Sequence, residues 1–169
     1  MAALGPGGPA DVERTIVSTS PEQTRALGLR LGQLLQPGDF VGLIGDLGAG
    51  KTHFVRGVAE GVGVDRSQVA SPTFAIVYPY EGGRIRLYHA DLYRLADYDE
   101  LYATGFMDLL GGDGAVLVEW LDNVPEAAPA ERLMIEIDVP SGEAAENQRV
   151  IKVRAFGARA AERLQAWLG

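Results

Sequence analysis

A lysine at the end of a glycine-rich run is the first residue in this chain with evident chemistry. Lys51 and Thr52 close Gly45-Asp46-Leu47-Gly48-Ala49-Gly50-Lys51-Thr52, which has the spacing Gly-x-x-x-x-Gly-Lys-[Ser/Thr]. Each fixed position has a physical reason. Glycines let the backbone curl until successive N–H groups converge on phosphate oxygens. Lysine offers a compact ammonium to the β- and γ-phosphates, and the threonine hydroxyl can ligate Mg²⁺. The spacing therefore assigns phosphate binding to Gly45, Leu47, Gly48, Ala49, Gly50, Lys51 and Thr52. Only two lysines, Lys51 and Lys152, stand against 13 arginines, so a chain that prefers arginine has placed lysine where a point charge is needed.

A triphosphate site of this kind needs an acidic partner to hold Mg²⁺. Glu119 directly follows the apolar run 115–118, and Asp91 follows the alternating segment 84–89. Both are expected at the C-terminal ends of strands, the edge where open α/β sheets gather ligands. Glu119 and Asp91 are therefore both candidates to hold the metal beside the Thr52 hydroxyl, with Lys51 facing the phosphates. Asp97 and Asp122 read as solvated loop charges. Trp120 is either a packing residue or an exposed, partner-facing one. His89 reads as a hydrogen-bonded core residue, and two histidines cannot build a metal site alone. His53 is expected to face away from phosphate. Ser71-Pro72-Thr73 is either a plain turn or a segment that senses the nucleotide.

These residues need a scaffold, and the hydrophobic pattern supplies one. Residues 39–44 read as a buried strand entering the loop; Phe54, Val55, Val58, Ala59 and Val62 recur at helical spacing beyond it, over about 51–61. Gly61 and Gly63 are expected to break that helix. Upstream, 14–18 is a short strand. Ser20, Pro21 and Gln23 form a helix start of the capping-box type, with Leu27, Leu31, Leu34 and Leu35 as the apolar stripe. Downstream, 74–80 and 84–89 predict an antiparallel pair, and Asp97 to Glu100 a second capping box whose helix Gly105 closes. The run 115–118 has the composition of a strand buried on both faces. Leu133, Ile135, Ile137 and Val139 alternate, answered by Ile151, Val153 and Ala155, which predicts a half-exposed hairpin at one edge of the sheet. A last helix, about 158–168, packs Ala161, Leu164 and Leu168. The elements add up to an α/β, P-loop NTPase-like three-layer fold. Its mixed sheet has a parallel centre and antiparallel edge strands, with helices on both faces.

At 169 residues the chain reads as one folded domain, 14–169, behind a Gly/Pro-rich tail at 1–13. That tail has no basic or apolar region of a secretory signal, and no apolar run approaches the roughly 20 residues that cross a bilayer. No membrane association is expected. The absence of cysteine excludes disulfides and thiolate metal sites and suits a cytoplasmic location. A net charge of −8 argues against free-standing nucleic-acid binding, although Arg84, Arg86 and Arg94 could form a local basic patch. Positive potential is expected to concentrate at 45–52.

Four segments together carry a family resemblance: 45–52, Ser71-Pro72-Thr73-Phe74, His89-Ala90-Asp91-Leu92-Tyr93-Arg94-Leu95 and Val118-Glu119-Trp120. Their order and spacing resemble the bacterial TsaE (YjeE) family over about residues 14–156. The resemblance implies an ATPase needed for the threonylcarbamoyl modification of adenosine in tRNAs that read codons beginning with A. It implies TsaB and TsaD as partners, with TsaD carrying the transfer, the ATPase resetting or supporting the complex, and tRNA met mainly through that complex. By position it implies ATP phosphates at 47–52, Mg²⁺ at Thr52 and Glu119, a role in hydrolysis for Asp91, and a role in activity or docking for Trp120. His53 departs from the small hydroxyl residue expected there. The competing reading is a small-molecule kinase on the same scaffold. It would call for basic lid residues, and the segment 97–113 contains no Lys or Arg.

Overall fold

The structure, a computed structural model, describes residues 9–46, 49–64, 77–93, 95–142 and 146–169. A seven-stranded sheet runs through the molecule in the order β1-β7-β6-β2-β5-β4-β3. The strands are β1 (Val12–Ser18), β2 (Phe40–Ile44), β3 (Val77–Tyr80), β4 (Arg86–Asp91), β5 (Gly114–Glu119), β6 (Arg132–Asp138) and β7 (Arg149–Phe156). The four central strands, β6, β2, β5 and β4, are parallel, while β7, β1 and β3 pair antiparallel outside them. This is the mixed sheet that the sequence predicts. Every residue of β5 is buried, as its unbroken apolar run requires.

One face is covered by α1 (Pro21–Leu34), α2 (Lys51–Val62) and α4 (Ala158–Leu168). The other carries α3 (Tyr98–Ala103) and three short 3₁₀ turns, at Phe106–Leu109, Leu121–Asn123 and Pro125–Ala127. The predicted caps form. Ser20 accepts from the Gln23 N–H, while the Gln23 side chain reaches back to the Thr19 N–H at 2.7 Å. Asp97 accepts from Glu100 N–H and so holds the first turn of α3.

Two expectations are corrected. The β6–β7 hairpin exists but is not at an edge: β6 lies against β2, and β1 covers β7 to become the half-exposed edge strand. Alternation showed which way side chains point, but strand neighbours are set by long-range pairing that period 2 does not encode. Gly61 does not break α2. It lies in the last turn, where a Cβ would collide with the Leu29 carbonyl oxygen of α1. Gly28, Gly32 and Gly57 are in the same position, each facing a backbone carbonyl of the opposite helix, so glycines spaced four apart on both helices let the two backbones touch. Helix α2 instead ends at Gly63, whose φ of 97° lets its N–H return to Ala59 and Glu60. On α4 the buried residues are Ala160, Leu164 and Trp167, with Ala161 and Leu168 half-buried at the margin.

Candidate functional site

The site lies beyond the C-terminal ends of β2, β5 and β4. From β2 the chain passes through residues 45–50 and enters α2 at Lys51. Gly50 holds φ 104°, the left-handed turn that aims the start of α2, and the Ala49 N–H closes onto Asp46 O at 3.0 Å. A Cβ on Gly45 would sit 2.7 Å from the Ile137 carbonyl oxygen of β6, so only glycine fits there. Leu47 and Gly48 lie outside the described residues, as do Ser71 to Phe74 and Arg94. Thr52 is exposed in the first turn of α2 and His53 is half-exposed beside it.

Lys51 is buried, with 6 % of its surface exposed, and its Nζ has no hydrogen-bond partner among the described residues. The ammonium rests instead 3.9 Å from the centre of the Trp120 ring, a cation–π contact. Burial pulls the Lys51 pKa below the ordinary lysine value, opposed by Glu119, Asp91, Asp122 and Asp46 in that order. A buried ammonium lacking a hydrogen-bond acceptor is costly, and an anionic oxygen is the kind of group that would satisfy it.

The carboxylates are placed by strand register. Asp91 and Glu119 face each other at the ends of the parallel pair β4–β5, and Leu43 of β2 flanks Glu119 on its other side. Register partners share a face, so both carboxylates stand on the face that α2 covers. Glu119 is 7 % exposed, and its Oε2 accepts from His89 Nε2 at 2.6 Å. His89 is thus the hydrogen-bonded core residue that the sequence predicts, with a partner inside the site. Asp91 Oδ1 accepts from the Tyr93 N–H at 2.9 Å. Burial raises the Asp91 pKa; the Tyr93 N–H opposes that rise, and the nearby Glu119 charge adds to it.

Trp120 is half-buried between Lys51 and Tyr93, whose ring centre is 4.8 Å from its own. It has φ 60°, the only positive φ at a non-glycine residue among those described. Such a backbone costs on the order of 1–3 kcal/mol and accumulates at functional sites. The strain turns the chain sharply after Glu119 and brings the indole over Lys51.

The structure therefore brings Lys51, Asp91, Glu119 and Trp120 together at the loop. It separates Arg84 and Arg86 from any basic patch: Arg84 caps α1 through the carbonyls of Gly32 and Leu35, and Arg86 pairs with Glu81 and Asp113. Asp122 is exposed, as predicted. Sequence reasoning missed Arg149, at the start of β7, which donates to the Ala49 carbonyl at 3.1 Å and ties the loop to the sheet. No local pattern announces that contact, which spans 100 residues.

The donor set fits a nucleotide with a divalent cation. Among the described residues no group of three or more His, Cys, Asp or Glu is arranged to hold a metal.

Comparison with known proteins places the chain in a family. Residues 18–150 match the family described as Threonylcarbamoyl adenosine biosynthesis protein TsaE. The tRNA threonylcarbamoyladenosine biosynthesis protein TsaE of Bacillus subtilis is 42% identical over 142 residues, covering 84% of this chain and 85% of that one. Its namesake from Streptomyces coelicolor is 42% identical over 138 residues, covering 80% and 92%. Among solved structures, Bacillus subtilis YdiB superposes with a TM-score of 0.76 at 33% identity, over 92% of this chain and 94% of that one.

Proposed function

This chain belongs to the TsaE family of threonylcarbamoyl adenosine biosynthesis proteins, and from that membership we propose that it binds and hydrolyses Mg²⁺-ATP in making threonylcarbamoyladenosine in tRNA. We further propose that it works with the TsaB–TsaD proteins, meets tRNA mainly through them, and acts in the cytoplasm. No helix among the described residues is long and apolar enough to cross a membrane. The observation that carries the reading is Lys51: a buried ammonium without a hydrogen-bond partner among the described residues, beside the loop and flanked by two register-paired carboxylates.

In this reading the backbone of 45–50 and the N-terminus of α2 cradle the phosphates. Lys51 leaves the Trp120 ring to take phosphate oxygens, exchanging a weak cation–π contact for charge-assisted hydrogen bonds. Thr52 and Glu119 are the side chains that would hold Mg²⁺, which supplies neutralisation of the charge that develops on the phosphates. Asp91 orients the attacking water. Its burial-raised pKa makes the ionised carboxylate a better proton acceptor than an exposed aspartate. Water oxygen bonds to the terminal phosphorus, the bond to the leaving diphosphate oxygen breaks, and the water's proton passes to Asp91 and then to solvent.

Calorimetric titration of ATP with Mg²⁺ tests the site. Lys51→Ala should lose about 1.5–3 kcal/mol of binding, a charge-assisted hydrogen bond's worth. Equal affinity in variant and parent would remove the loop assignment. Glu119→Ala should lower turnover more than affinity, and an unchanged rate would remove its role.

A further inference from the structure

We propose that Tyr80 and His89 form a positioning relay that fixes Glu119 for the divalent cation of the nucleotide; this rests on the Mg²⁺-ATP reading above. The relay crosses three adjacent strands. Tyr80 of β3 contacts His89 Nδ1 of β4 through its hydroxyl at 3.1 Å, and His89 Nε2 reaches Glu119 Oε2 of β5 at 2.6 Å. All three residues are buried, and His89 is only 1 % exposed. In register His89 faces Leu117, so its reach to Glu119 runs diagonally toward the end of β5 that carries the site.

The proton positions follow from the partners. An ionised carboxylate can only accept, so Nε2 carries the hydrogen; in the neutral imidazole Nδ1 is then the acceptor for the Tyr80 hydroxyl. That pattern holds the imidazole in one tautomer and one ring orientation. It also occupies Oε2 and leaves Oε1, which carries no hydrogen bond among the described residues, as the oxygen for a cation. Burying three polar groups beside Leu87 and Leu117 is expensive compared with an apolar set of the same size. A network that ends on the carboxylate flanking the phosphate loop has a reason to be kept: outer-shell partners of a ligating carboxylate set its orientation, and losing one typically costs 10–100-fold in metal affinity.

The test compares binding of a non-hydrolysable β,γ-imido ATP analogue with and without Mg²⁺, so that it does not depend on turnover. The full-length parent should bind more tightly with Mg²⁺. His89→Ala should lower that enhancement about tenfold or more while leaving Mg²⁺-free affinity within about twofold. His89→Gln, whose amide N–H can stand in for Nε2, should restore most of it. Because the chain has only two histidines, ¹⁵N shifts of the imidazoles can be assigned with a His53→Ser variant. The parent His89 should show the Nε2–H tautomer, and Tyr80→Phe, which keeps that tautomer but releases the ring's other end, should lower the Mg²⁺ enhancement about threefold, a fraction of the outer-shell loss. If His89→Ala does not fold, His89→Gln and Tyr80→Phe carry the test. An enhancement equal to the parent's in His89→Ala, or in Tyr80→Phe, overturns the relay and leaves the nucleotide site standing. A parent that binds the analogue equally with and without Mg²⁺ overturns both.

Discussion

Lys51 rests on the Trp120 ring, a contact that the proposed nucleotide binding would have it give up. Its ammonium has an aromatic face and the charges of four carboxylates nearby, but no hydrogen-bond acceptor among the described residues. The cation–π contact is worth roughly 0.5–1 kcal/mol, and desolvation works against it. Lys51→Met should therefore leave stability within about 1 kcal/mol of the parent, or raise it, while ATP binding is lost. Denaturant unfolding checks this, and a loss of several kcal/mol would show that the ammonium is satisfied. The lowered pKa adds a sign. Between that value and the ordinary 10.5, the unfolded chain binds more protons than the folded one, so stability of the nucleotide-free protein should rise with pH across this window. Lys51→Met should flatten that rise. For Asp91 the sign is opposite: its raised pKa means stability falls as pH climbs from 3.8 through the folded value. The site residues were legible because phosphate chemistry is written locally, in the spacing of 45–52 and in single carboxylates at strand ends. Their partners were not. His89 meets Glu119 across 30 residues, and Lys51 meets Trp120 only because Trp120 takes a left-handed turn that no residue preference suggests.

Helices α1 and α2 carry the loop on a joint made of backbone. Gly28 and Gly32 face α2, Gly57 and Gly61 face α1, and a Cβ at any of the four would meet a carbonyl oxygen. The Arg25–Glu60 ion pair, at 2.7 Å, spans the same joint. Gly57→Ala therefore separates two accounts. An unconstrained helical glycine would gain about 1 kcal/mol on becoming alanine. A glycine pressed against the Arg25 carbonyl should lose about 1–3 kcal/mol from overpacking. Thermal unfolding reads the sign, and stabilisation would contradict the close approach. Because α2 begins at Lys51, the same variant should also loosen ATP binding. At this scale the sequence marked most element positions and both capping boxes, since periodicity and caps are local signals. It misread Gly61 as a breaker because a glycine needed for close packing and one needed for a turn look alike until the second helix is in place. The β6–β7 hairpin was placed at the edge for a similar reason, the covering strand β1 being the most distant in sequence.

For the whole molecule, an acidic chain of net charge −8 places its one phosphate-loop lysine beyond the C-terminal ends of the central parallel strands of a mixed sheet. Arg84 and Arg86 are spent on a helix cap and on ion pairs. If the proposed function holds, hydrolysis should be slow for the isolated chain and stimulated by TsaB–TsaD. Rapid turnover alone, unaffected by those proteins, would argue for an independent ATPase. The most direct measurement is reconstituted threonylcarbamoyladenosine formation on tRNA with TsaB and TsaD, comparing this chain with its Lys51→Met variant. The account predicts sustained modification with the parent and loss of it with the variant, although the variant remains folded. Modification at the parent's rate with Lys51→Met would contradict it.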